Sequence, residues 1–255
     1  MNTPIYSVAH PTLGRPKIAI QRCNEWFSKC ENPSTVEYVF GVHSFDAPEN
    51  IKTLQEFALG CGFNVKISTT GMRGSAPNWN QSAIATSGAL IIQAQDDLAP
   101  PLKWDQHLGE RLNRLVGEKW ADKLIFVAVS DGHRNDRLCI TTILTRNYLK
   151  SRKFFLFPGY DGVYADDDST AQAYQDAKEG KIILIEARDI IFDHQHYTTN
   201  GGLAFDQTYA IENAPAAYRK GEILFAKRHP EWHAKQMCKR PPLIQSGIVT
   251  DFNDL

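Results

Sequence analysis

A chain of 255 residues can bury a substantial core and lies at the upper end of what one domain holds. An apolar share of 42% with mixed charges excludes a disordered chain, and a net charge of −1 gives no global electrostatic case for nucleic acid or an anionic membrane as partner. The five cysteines are scattered without a CxxC pair, which argues against a zinc centre or disulfide framework and for a reducing compartment.

The opening Met1-Asn2-Thr3-Pro4 has neither the basic start nor the apolar run of a leader, and no stretch approaches the roughly 20 apolar residues that span a bilayer. The expectation is a soluble, cytoplasmic protein without integral membrane contact. Ile5 to Ala9 reads as a short strand, closed by the proline- and glycine-bearing loop His10-Pro11-Thr12-Leu13-Gly14-Arg15-Pro16. Lys17 to Lys29 has helical spacing through Ile18, Cys23, Trp26 and Phe27. Val36 to Val42 is a β-branched and aromatic strand, Ile51 to Leu59 a helix, and Asn64 to Ser68 a third strand. A polar segment, Thr69 to Asn80, leads to a short helix over Ser82 to Ser87 stopped by Gly88.

Ala89 to Ala94 reads as a buried strand with Gln95-Asp96-Asp97 at its carboxyl end, where open α/β sheets gather ligands. An amphipathic helix over Trp104 to Val116 follows, then strands over Lys123 to Val129 and Cys139 to Leu144, and a helix from about Arg146. Asp166-Asp167-Asp168-Ser169 precedes a helix through Ala177 that Gly180 ends, with Asp168 or Ser169 as N-cap. Ile182 to Glu186 is the last strand, and the tail after Pro241 reads as irregular. Alternating strands and helices predict an α/β fold with a mostly parallel central sheet flanked by helices.

Three groups of side chains could carry chemistry. Asp96 and Asp97 suit a hard divalent ion that shares its oxygen ligands with substrate phosphates, and they equally suit a strand-to-turn junction. Asp166, Asp167 and Asp168 fit a helix cap, or a general base taking a proton from a hydroxyl, with Tyr160 and Tyr164 upstream to line a sugar or acceptor pocket. His194 and His196 alternate on an extended segment, so one of them faces the site as a metal ligand. Gly71-Met72-Arg73-Gly74 is neither a P-loop nor a dinucleotide fingerprint, and Ser130-Asp131-Gly132-His133 lacks a nucleophile elbow. The basic run from Lys227 to Arg240 reads as a solvated face that leaves phosphate or nucleic acid open.

In order and spacing these features resemble the GT-A fold glycosyltransferases, particularly glycosyltransferase family 2, over residues 4 to 210. The resemblance rests on the Pro11-Thr12 and Arg15 loop after the first strand, on Asn80, Gly88 and Asp97 in the Asp-x-Asp region, and on the later acids and histidines. Gln95 stands where the family carries the first aspartate of Asp-x-Asp, and the second strand ends in Val42-His43-Ser44-Phe45-Asp46 without an acid directly after it. The resemblance implies a GT-A catalytic domain over 1–210, with a nucleotide-sugar half to about 100 and an acceptor half beyond it, and a C-terminal extension over 211–255. It implies Mn2+ or Mg2+ as cofactor and a nucleoside-diphosphate sugar, in the first place a UDP-sugar, as donor. Asp97 with His194 or His196 would bind the metal, and Asp167 or Asp168 would be the base. Pro11, Thr12, Arg15, Asp46, Asn80, Asp96, Tyr160 and Tyr164 would contact substrate.

The implied reaction is transfer of a hexosyl or pentosyl group to an acceptor hydroxyl with inversion. The acceptor is open among a glycan, lipid-linked sugar, protein, small molecule or modified DNA base, the last as in compact phage-type enzymes. The rival readings are a nucleotidyltransferase and a non-catalytic carbohydrate or nucleic-acid binding module.

Overall fold

Successive residues of a strand point to opposite faces, and in this chain both faces are apolar. Val8, Ile92 and Val127 enter one hydrophobic core, while their neighbours Ala9, Ile91 and Phe126 enter another. Such strands belong in a sheet covered on both sides. The computed structural model describes residues 4–199 and 202–255 and shows that sheet.

In chain order, the first half holds β1 (Tyr6–Thr12), α1 (Pro16–Ser28), β2 (Val36–His43), α2 (Pro48–Gly60), β3 (Val65–Thr70), α3 (Ser75–Ala85), β4 (Leu90–Gln93) and β5 (Leu98–Ala99). Then follow α4 (Trp104–Val116), β6 (Ile125–Ser130), β7 (Ile143–Thr145), α5 (Arg146–Arg152), α6 (Ala165–Lys178), β8 (Ile183–Ile191) and β9 (Asp193–His194). The chain finishes with α7 (Gln207–Glu212), α8 (Pro215–Arg228), α9 (Pro230–Ala234) and β10 (Ser246–Ile248). Eight strands form one sheet in the order β10-β8-β6-β7-β4-β1-β2-β3, and β5 pairs with β9 in a separate two-stranded ribbon. Pairs β1–β2, β1–β4, β2–β3 and β6–β8 are parallel; β7 and β10 run against their neighbours.

One face of the sheet is packed by Trp26, Leu54, Trp104 and Leu108 from α1, α2 and α4, the other by Trp79, Tyr148, Tyr174 and Trp232 from α3, α5, α6 and α9. None of the described helices is long and apolar enough to cross a membrane.

The structure departs from the sequence reading in several places. Strand β1 runs on through His10, Pro11 and Thr12. Proline is tolerated there because alternate residues of β1 address β4, and β4 has ended at Gln93, opposite Ala9. Helix α3 begins at Ser75, inside the segment read as polar loop, and stops at Ala85 before Gly88. Its polar Asn78 is buried because α3 packs hard on β2: a Cβ at Gly41 would meet Asn78 oxygens at 2.7 and 2.9 Å, and Asn78 donates to the Gly41 carbonyl at 2.9 Å.

The strand read over Cys139 to Leu144 shrinks to Ile143–Thr145. The three aspartates lie inside the first turn of α6, whose N-cap is Tyr164 at φ 68°, not Asp168 or Ser169. The tail after Pro241 is not wholly irregular, since β10 closes the edge of the sheet against β8.

Candidate active site

All parallel strands point their carboxyl ends the same way, and the acidic residues collect there. The chain leaves β4 at Gln93 and passes through Gln95, Asp96 and Asp97 into β5. Pairing of β5 with β9 sets Leu98 opposite His194 and Ala99 opposite Asp193. An irregularity in β8, where Ala187 pairs with Val129 but Ile191 with Ser130, bends the chain toward that ribbon. His194 Nε2 thereby reaches 3.4 Å from Asp97 Oδ2, and its backbone N–H donates to the Asp131 carbonyl at 3.1 Å.

Asp97 is nearly buried, and burial pushes its carboxyl up. The hydrogen bonds and charge of His194, with the Tyr209 hydroxyl donating at 2.7 Å, outweigh that and bring it down to about 2. In return, burial pulls His194 down but Asp97 more than restores it, leaving the imidazole above its ordinary value. His196 turns away to Thr198 at 2.9 Å, and burial with the neighbouring His194 lowers it.

Asp96 is the hub of the loop after β1. His10 Nε2 lies 3.0 Å from Oδ1, while the Thr12 hydroxyl and Arg15 Nη1 each lie 3.5 Å from Oδ2. Arg22 from α1 donates to the Asp96 backbone carbonyl at 3.2 Å and to Gln195 at 3.0 Å, tying the β1–α1 segment to the ribbon. Arg15 also grips Asp206 through two nitrogens, its Nε at 2.7 Å. Asp46 accepts from the Gly14 amide at 3.1 Å, from Ala47 and from Asn50, so it braces this loop from below.

The acids of α6 separate because residues of a helix turn by about 100° each. Asp166 faces the carboxyl end of β4, accepting from Gln93 Nε2 at 3.2 Å. Burial raises its carboxyl, the Gln93 hydrogen bond opposes this, and the Asp167 charge adds to it, for a net value of about 7. Asp167 is raised by burial and lies in the field of Arg134. Asp168 points the other way into full burial. Its carboxylate accepts from Arg228 Nε at 2.5 Å, His229 Nε2 at 3.0 Å and the Tyr160 hydroxyl at 3.1 Å. Burial raises Asp168, but His229 and Arg228 hold it below its ordinary value. These three donors converge on Oδ2 of a fully buried side chain, so Asp168 faces no open space, whereas Asp166 lies beside the carboxyl end of β4.

Two further expected contacts are redirected. Tyr160 is buried with its hydroxyl committed to Asp168, so it does not line a cleft. Asn80 donates to the Leu156 carbonyl at 2.7 Å and accepts from the Phe155 and Leu156 amides, pinning the aromatic run 154–157. Tyr164, with its ring 5.9 Å from Phe225, packs on α8. Pro11 sits on β1 in register with Gly41. The structure gathers His10, Thr12, Arg15, Asp96, Asp97, Asp166 and His194 at one end of the sheet and adds Arg22, Asp131, Asp206 and Tyr209, which the sequence reading did not place there.

The role of Asp168 is testable through folding. Removing one member of a buried ion pair leaves its partners uncompensated at a cost of about 3–5 kcal/mol. Asp168→Ala is expected to lower the unfolding free energy by that amount, read by urea unfolding. A variant that folds as tightly as the parent but has lost turnover would make Asp168 the base after all.

No family model matches the chain, and no curated protein matches it in sequence. Solved structures do match it in shape. The mannosyltransferase PcManGT from Pyrobaculum calidifontis, in complex with GDP-Man and Mn2+, superposes with a TM-score of 0.61 at 13% identity, over 92% of this chain and 68% of that one. Glucosyl-3-phosphoglycerate synthase from Mycobacterium tuberculosis, with Mn2+, UDP and phosphoglyceric acid, gives 0.55 at 13% identity over 94% and 80%. S. aureus TarS 1-349 gives 0.51 at 14% identity, covering 67% of this chain; the chain spans 55% of that one.

The chain has the GT-A fold. On this GT-A sheet, Asp97 and His194 offer one carboxylate oxygen set and one imidazole, a donor pair suited to Mn2+ or Mg2+. Among the described residues, no group of three or more His, Cys, Asp or Glu side chains is disposed to hold a metal ion alone. Two protein ligands fit an ion that takes its remaining ligands from a diphosphate. A groove of about 570 Å³ lined by His107, Glu110, Arg111, Arg114 and Asp189 shares no residue with this cluster, and Arg111 there is already paired with Asp189.

Proposed function

We propose that this protein is a metal-dependent glycosyltransferase that moves a sugar from a nucleoside diphosphate to an acceptor hydroxyl. The observation that carries the reading is the convergence of Asp97, His194 and Asp166 at the carboxyl end of β4 on a GT-A sheet. Asp97 and His194 would hold the divalent ion, which when bound supplies Lewis-acid neutralisation of the charge building on the leaving diphosphate. Arg15, with a planar guanidinium that matches phosphate oxygens two at a time, would orient the diphosphate. Asp166 would accept the proton of the acceptor hydroxyl; a carboxyl poised near 7 is suited to that exchange. Attack from the face opposite the diphosphate inverts the anomeric centre.

Support for a nucleotide-sugar donor comes from the superposed structures, whose ligands include GDP-Man and UDP. The two nucleotides differ in base, so both belong in the test. Thermal shift with UDP and with GDP, each with and without Mn2+, is expected to show stabilisation by one of them only when the metal is present. At 100 times Kd the gain is about 2.7 kcal/mol. Absence of any metal-dependent stabilisation would sink the reading.

A further inference from the structure

The segment from Asp206 through α7 covers the carboxylates that the donor needs, and it does so with the groups a donor would replace. Tyr209 donates at 2.7 Å to Asp97, the carboxylate that would hold a cation. Its ring carries the Arg15 guanidinium 4.4 Å from the centroid. Asp206 takes Arg15 in the two-pronged manner of a phosphate, and it also caps α7 by accepting from the Tyr209 amide at 3.1 Å. Beyond these, Thr208 donates to the Leu13 carbonyl at 3.4 Å and the Tyr209 ring packs on His196 and Tyr197. Helix α7 has six residues, too few for independent stability, and Tyr209 is its one buried residue. Phe205 and Ile211 beside it are 58% and 61% exposed.

We propose that Asp206–Glu212 is a strap latched across the donor site, in which Tyr209 and Asp206 are internal competitors of the metal and the diphosphate. The identity of the displacing ligand rests on the glycosyltransferase reading; the latch itself does not. Incoming metal–diphosphate takes Asp97 from Tyr209 and Arg15 from Asp206, so charge-assisted bonds are exchanged rather than lost. The apparent affinity is then reduced by the fraction of molecules that are latched.

The test uses the whole chain, with Tyr209→Phe and Asp206→Asn variants. Without any ligand, hydrogen exchange of amides 205–212 is expected to quicken roughly tenfold in Tyr209→Phe, which keeps the ring but loses the hydrogen bond to a charged group. Calorimetric titration with Mn2+ plus UDP, and with Mn2+ plus GDP, is expected to give roughly tenfold tighter binding by either variant than by the parent. Ligand is expected to deprotect amides 205–212 in the parent. Unchanged exchange in ligand-free Tyr209→Phe overturns the latch, as does weaker binding by that variant or added protection of the strap by ligand. If no form binds either nucleotide while ligand-free exchange quickens as expected, the latch stands and the donor reading falls.

Discussion

Asp97→Ala is expected to lower metal-dependent turnover by a factor on the order of 10²–10³, the usual cost of removing one electrostatic support from a developing charge. Among the described residues Asp97 is the only carboxylate in contact with His194, and the β5–β9 pairing brings the two together. Without it, His194 alone faces the ion. The half-saturating Mn2+ concentration is therefore expected to rise along with the loss in kcat. The fold is expected to survive, because a neutral imidazole can stay in place without a charged partner. Initial rates of Mn2+-dependent hydrolysis of UDP-glucose and GDP-mannose, beside a circular dichroism melt, check both halves. Full turnover in a folded Asp97→Ala protein would contradict the assignment.

Asp166→Asn is expected to act in opposite directions on rate and stability. As the base, Asp166 must be ionised, so kcat/KM of the parent is expected to rise through about pH 7 to a plateau. The asparagine variant is expected to lie 10²–10⁴-fold lower with that rise gone. For stability, an unfolded aspartate ionises near 4 while the native one waits until about 7. The native state therefore binds the proton more tightly, and this contribution is complete below pH 4 and lost as pH rises through 7. Asparagine removes the penalty of holding a charge there. Since Asp166 is partly exposed, about 2 kcal/mol is the appropriate scale, or a melting point about 5 °C higher at pH 8. No difference is expected at pH 4. A variant that melted lower at pH 8 would show that the carboxylate is not held against its preference.

The sheet was largely legible because its signal is local. Apolar runs such as Ala89 to Ala94 name a doubly covered strand without reference to anything else in the chain. Helix α3 was misplaced because its polar start is buried by packing on Gly41, a contact with another strand. The three adjacent acids of α6 were legible as a cluster but not as individuals. Which of them meets Gln93 and which meets Arg228 depends on helix phase, and the phase depends on a start at Ala165 that Tyr164 sets in a left-handed conformation. Asn80 fell to a structural role because its partners Phe155 and Leu156 lie 75 and 76 positions away, and Tyr160 because it shares the helix phase that turns Asp168 inward. Tyr209 carries no motif at all, and its partner Asp97 lies 112 positions away.

The β5–β9 ribbon carries a consequence for how the molecule is made. Asp97 belongs to the half of the chain synthesised first, and β1, β2, β3 and β4 can pair as soon as they emerge, their contacts being mostly among near neighbours. His194 arrives only after β6 and β8 have been made and joined through β7. The two side chains meet at one of the most sequence-distant strand pairings among the described residues, and such pairings form late. A partly synthesised chain can thus have β1 to β4 paired while the Asp97–His194 contact is still missing. Cation affinity then reports completion of the polypeptide, and its appearance during refolding should lag behind the recovery of secondary structure.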